Sequence, residues 1–158
     1  PALFQVDTTD IAEVRALGYD RGLDDCLAVR IHDVTPESIR DVRGWGIGEP
    51  SADDLLAFRI HGIDEEFARD TRSWAGDDLD RDDLIAFRIH GVTQAFVRSM
   101  EEAGVPPEDA SQAVAFRIHG VTPELVRGME AAGFEDLDGD DLIRIRIHGL
   151  DRKRRGGG

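Results

Sequence analysis

Between Leu84 and His90 apolar and other residues alternate, with Ile85, Phe87 and Ile89 on one side and Ala86, Arg88 and His90 on the other. The alternation returns at Leu27/Val29/Ile31, Leu56/Phe58/Ile60, Val114/Phe116/Ile118 and Ile143/Ile145/Ile147. A period of two is that of a β-strand with one apolar face. A different period follows. Thr122, Pro123 and Glu124 supply a capping hydroxyl, a proline suited to the first helical turn and an acid for the positive helix end; Leu125, Val126, Met129 and Ala132 then recur at helical spacing, and Gly133 stands where a terminating glycine belongs. Glu37/Arg40, Glu66/Arg69 and Glu124/Arg127 are placed for solvated pairs on the outer face of that helix.

The two patterns form one 29-residue repeat. His32, His61, His90, His119 and His148 are the five histidines of the chain and follow one another at a constant interval; Arg30, Arg59, Arg88, Arg117 and Arg146 keep the same step, as do Ile31, Ile60, Ile89, Ile118 and Ile147. A fixed period of this size is the mark of an array whose units bury their apolar faces against their neighbours. The expected fold is therefore an α/β strand-helix solenoid with a parallel sheet, forming one domain over residues 1–150 with 1–21 as a degenerate first repeat. Residues 151–158 form a basic, glycine-rich tail. In the first repeat, Leu3–Val6 would be the stub of a strand, and Ile11, Val14 and Leu17, followed by Gly18, match the repeat helix one residue out of register.

An all-α two-helix solenoid is the alternative. Ser51/Asp54, Asp80/Asp83, Asp109/Gln112 and Asp138/Asp141 have capping-box spacing or a near variant of it, and Gly62, Gly91, Gly120 and Gly149 are placed to end short helices. A helical wheel, however, sets Arg88 between Leu84 and Ile85, inside the apolar arc, and burying an unpaired charge in every repeat is costly. The strand is preferred on that ground. It puts the five arginines and five histidines on the open sheet face in columns about 4.8 Å apart, where neutral imidazoles would tile successive turns.

Leu84-x-x-Phe87-x-Ile89 resembles the core of leucine-rich repeats, with Val92 where that family has Asn or Cys. The phrase from Asp83 to Thr93, followed by the Phe96–Gly104 segment, looks like tandem repeats found beside bacterial membrane metallopeptidase sensors of the beta-lactam-receptor type. That resemblance covers nearly the whole chain. It implies a non-catalytic accessory region, since the zinc motif H-E-x-x-H is absent here.

Composition narrows the function. A net charge of −14 argues against wrapping nucleic acid. No apolar run reaches the roughly 18 residues of a membrane helix, and Pro1–Asp10 lacks a signal-peptide layout. Cys26 is alone, which excludes an internal disulfide and favours a reducing, cytoplasmic setting; at a position filled elsewhere by Leu55, Leu84 and Leu142, it reads as a small core residue and not a nucleophile. The Asp-Asp pairs at Asp24, Asp53, Asp82 and Asp140 lack calcium-loop spacing. Trp45 and Trp74, in register with Ala103 and Ala132, read as core plugs. The expected function is a non-catalytic scaffold or protein-interaction module without a cofactor. The alternatives are an anion- or metal-binding protein using the Arg/His face, with the five histidines as ligands, and a homo-oligomer assembling through uncapped ends.

Overall fold

The computed structural model describes residues 8–19, 22, 24 and 31–149. Two compact units divide the chain, Pro1–Arg88 and Ile89–Gly158. Among the described residues the regular structure is entirely helical: α1 (Thr8–Ala16), α2 (Pro36–Arg43), α3 (Ala52–His61), α4 (Glu65–Ala75), α5 (Arg81–His90), α6 (Gln94–Glu102), α7 (Ala110–His119), α8 (Pro123–Ala131) and α9 (Gly139–His148). Helices α3, α5, α7 and α9 begin at the same position of successive repeats and each ends on histidine; we call them the A helices. Helices α2, α4, α6 and α8 likewise share one starting position in the repeat and are the B helices. Helix α1 precedes them, and its first described residue is Thr8.

The parallel sheet is thereby corrected. Every segment read as a strand, from Leu56/Phe58/Ile60 to Ile143/Ile145/Ile147, lies in an A helix, and the described residues fit the all-α alternative. Local chemistry fixes this choice at both ends of each A helix. Ser51, Asp109 and Asp138 are extended N-cap residues whose side chains accept from the backbone N–H three residues on. Asp80 and Asp83 exchange the same reciprocal bonds at 3.0 and 3.2 Å. At the other end, Gly62, Gly91, Gly120 and Gly149 have φ between 64° and 68°, and Asp33 adopts φ 52° at the same register. A backbone forced into the left-handed region after each histidine stops the helix there.

The objection to a helix also has an answer. Arg88 does lie beside the apolar arc, but it is exposed and its Nε donates to the carbonyl of His61 at 3.0 Å. It is neither buried nor unpaired. The supposed strand face is split by the helical turn: Leu84 and Phe87, three residues apart, are buried, whereas Ile89 faces solvent. Leu55/Phe58 and Ala113/Phe116 repeat the buried pair. The strands at Leu27 and Val29 and at Leu3–Val6, with Cys26, Arg30 and the tail 151–158, lie outside the described residues.

Each unit has its own core. In the first, Ile39, Val42, Ile47, Leu55, Phe58, Ile63, Ala68 and Leu84 pack together, with Val14 and Tyr19 from the degenerate repeat. Trp45 stacks on Phe58 with ring centroids 5.7 Å apart, and Trp74 on Phe87 at 5.9 Å. Both thus fill the gap between a B helix and the next A helix, as plugs would. In the second unit Met100, Val105, Phe116, Val121, Val126, Met129 and Leu142 form the core. Complete burial of a side chain the size of Phe or Leu contributes about 1.5–3 kcal/mol.

The B helices behave as predicted, amphipathic and capped by Thr35, Asp64, Thr93 and Thr122. Arg40 and Arg127 meet Glu37 and Glu124 at 3.9 and 2.9 Å, while Arg69 turns to Glu65 at 3.7 Å and not to Glu66. In the first unit these helices are also tied end to end. Arg43 Nη2 donates to the carbonyl of Leu17 at 2.6 Å, and Arg72 Nη1 to that of Trp45 at 2.7 Å. The second unit has Glu101 and Glu130 at that register.

Candidate functional site

The Arg-Ile-His triplet closes each A helix, and its three side chains have three separate fates. Arginine goes to the preceding repeat. Arg59 Nε donates to the carbonyl of His32 at 3.2 Å, Arg88 to His61 at 3.0 Å, Arg117 to His90 at 3.1 Å and Arg146 to His119 at 2.9 Å. The last carbonyls of a helix have no partner within it and carry the negative end of its dipole, so a guanidinium there satisfies an acceptor and matches its charge. Arg88 and Arg117 also lie over the rings of Phe67 and Phe96, 5.0 and 4.9 Å from the centroids. Ser38 and Leu125 hold that register for Arg59 and Arg146.

Glycine makes room for the clamp. A Cβ on Gly91 would sit 3.2 Å from Arg117 Nη2, and one on Gly120 only 2.8 Å from Arg146 Nη2. The glycine after histidine therefore serves a positive φ and a close approach together, and a strand-to-helix turn has no part in it.

The sequence reading set arginine and histidine side chains in adjacent columns on an open sheet. The structure instead joins the arginine side chain of one repeat to the histidine main chain of the one before. The rings of His61, His90 and His119 are half-buried; those of His32 and His148 are exposed. Among the described residues no three His, Cys, Asp or Glu side chains are grouped to hold a metal ion. Of the first-turn aspartates, Asp54, Asp83 and Asp141 close capping boxes, and Asp54 additionally pairs with Arg81 Nε at 2.8 Å. A shallow cleft of about 570 Å³ in the first unit is lined by Gly62, Asp64, Glu66, Phe67, Arg69, Asp70, Ser73 and Arg88, which sets Ser73 among charged groups without a histidine.

Isoleucine is the residue that the sequence reading misplaced. Ile31, Ile60, Ile89, Ile118 and Ile147 are 50–74% exposed. Single exposed apolar residues are ordinary; the same register exposed in every repeat is not. On a helical wheel Leu56, Ala57 and Ile60 fall opposite the buried Leu55 and Phe58, and Val114, Ala115 and Ile118 opposite Ala113 and Phe116. α3, α5 and α7 thus carry a second apolar stripe opposite the core, of which the isoleucine is exposed while Leu56 and Ile85 are half-buried against the core; in α9 Arg144 interrupts it. The signal was present in the sequence, but it becomes readable only once the segment is known to be a helix.

Acidic charge lies elsewhere. Ala110–His119 has no Asp or Glu, whereas residues 120–138 contain five with one Arg. No protein-family model, no curated protein and no solved structure matches this chain. No helix among the described residues is long and apolar enough to cross a membrane.

Proposed function

We propose that this chain is a non-catalytic scaffold of repeated helix pairs, and that the outward apolar side of its A helices is the surface that engages another protein. The recurrent exposure of Ile60 in the first unit and of Ile89 and Ile118 in the second carries this reading, because exposed apolar patches mark interaction surfaces. The arginines have an architectural task in it, holding each A helix to the end of the last. A chain with Ile60→Ser, Ile89→Ser and Ile118→Ser keeps its helical circular dichroism and melts within a few degrees of the parent. In dilute solution it loses most of the fluorescence of a dye that binds apolar surface. Unchanged dye binding overturns the reading.

A second reading, assembly by addition of further repeat units, is favoured by Phe134. This ring is 44% exposed, although Ile47 and Val105 at the same register are buried. If Phe134 seats such a neighbour, Phe134→Asp lowers the mass of the particle in solution; an unchanged mass removes this reading.

A further inference from the structure

Resting on the reading of the A helices as an interaction surface, we infer that the protein seated on this surface is a second copy of the same chain, laid antiparallel. Within the first unit α3 and α5 run side by side in the same direction. Arg81 joins Asp54 at their N-terminal ends, at 2.8 Å, and Arg88 joins the His61 carbonyl at their C-terminal ends, at 3.0 Å. Within the second unit α7 and α9 do the same through Gln112 Nε2 to Asp140 Oδ1 at 3.1 Å and Arg146 Nε to the His119 carbonyl at 2.9 Å.

Parallel neighbours give the face two unlike edges. In the first unit its N-terminal edge carries the exposed Asp53 and Asp82, its middle the exposed Ile60 flanked by the half-buried Leu56 and Ile85, which also pack against the core, and its C-terminal edge the exposed Arg59 and Arg88, whose Nε atoms are held by the carbonyls of His32 and His61. Such a face is complementary to itself. A two-fold axis through its centre sets the aspartates of one copy against the arginines of the other and isoleucine against isoleucine, which is how an isologous interface is built. It also opposes the helix dipoles of the two copies.

The other side of the unit cannot pair with itself in this way. Residues 62–80 hold seven acids and two arginines, against two acids and one arginine in Ala52–His61. Like charges brought together across an interface cost several kcal/mol, so the nearly neutral A side is the one on which two copies meet.

Sedimentation equilibrium over a concentration series tests this on the full chain. The parent is expected to sediment as a dimer. Ile60→Ser with Ile118→Ser is expected to give a monomer whose circular dichroism is unchanged. Asp53→Lys with Asp82→Lys, which leaves the apolar stripe intact but sets lysine against arginine, is expected to weaken association by roughly tenfold or more. A parent that is monomeric throughout the series overturns the inference. If its dye binding still falls on Ile→Ser substitution, the interaction surface stands and only the choice of partner is lost. A dimer that survives the serine variants, or one indifferent to the lysine pair, also overturns it, by placing the contact elsewhere or in another orientation.

Discussion

The guanidinium of Arg117 donates through Nε to the backbone carbonyl of His90, 3.1 Å away and 27 residues earlier in the chain. One side chain thereby satisfies the open end of a helix, sits on the ring of Phe96 and fixes the spacing between successive repeats. Because the group is exposed, its contribution is modest. A charge-assisted hydrogen bond and an exposed cation–π contact together suggest about 1–2 kcal/mol. Arg117→Met is expected to lower stability to urea by that amount, and Arg117→Lys by most of it, since an ammonium lacks the planar fork. Equal stability of the methionine variant would show that the clamp adds nothing.

Two glycines of the second unit separate conformational need from mere presence. Gly120 has φ 68° and a virtual Cβ 2.8 Å from Arg146 Nη2, so Gly120→Ala meets both strain and a displaced clamp and is expected to cost at least about 1–2 kcal/mol. Gly128 lies inside α8 with nothing within 4 Å of its virtual Cβ, and Gly128→Ala is expected to stabilise by about 0.5–1 kcal/mol. Thermal melts of the two variants should move in opposite directions; movement in the same direction contradicts the account of the left-handed cap.

Phe116 is completely buried and packs in the second core with Met100, Val121 and Leu142. Phe116→Ala is expected to lower stability by about 3–5 kcal/mol. Ile118→Ser, two residues further along the same helix, is expected to change it by less than about 0.5 kcal/mol. On a strand both side chains would share one face and the two costs would be alike, so chemical denaturation of this pair reads out the helical turn.

Tyr19, the chain's single tyrosine, donates its hydroxyl to the carbonyl of Pro50 at 2.6 Å. Burial raises its pKa above the ordinary value of 10.0, and the carboxylate of Glu49 adds to the rise against the lowering effect of Arg43. A group whose pKa is higher folded than unfolded binds its proton more tightly in the native state. Its stabilising effect is complete below the unfolded pKa and disappears as pH rises from about 10 through the folded value. Stability should therefore decline in alkali, and Tyr19→Phe should flatten that decline. Tyrosinate absorbance that titrates at the free-tyrosine value would contradict the burial.

Much of this was legible before the fold. Thr122 and its equivalents cap the B helices, Asp138 and Asp141 form their box, and the glycine after each histidine ends a helix. All of these depend on contacts within a few residues, which spacing reveals directly. The strand-like alternation of Phe87 and Ile89 misled because apolar residues two apart satisfy a strand and equally a helix that is apolar on two sides. Only the exposed isoleucines of the second lobe, such as Ile60 and Ile118, make the candidate surface.

The chain's own sequence determined the repeat interval, the helix ends and the residues available for a core, because caps, turns and periodicity are short-range physics. Tertiary structure decided where each arginine goes. A guanidinium on the apolar arc is a liability in an isolated helix, and it becomes a clamp only when the preceding repeat presents an unpaired carbonyl 27 residues away, as His90 does for Arg117. The same packing decided which of two apolar faces is covered. Phe116 is enclosed by Met100, Val121 and Leu142, while Ile118, on the opposite side of that helix, meets solvent.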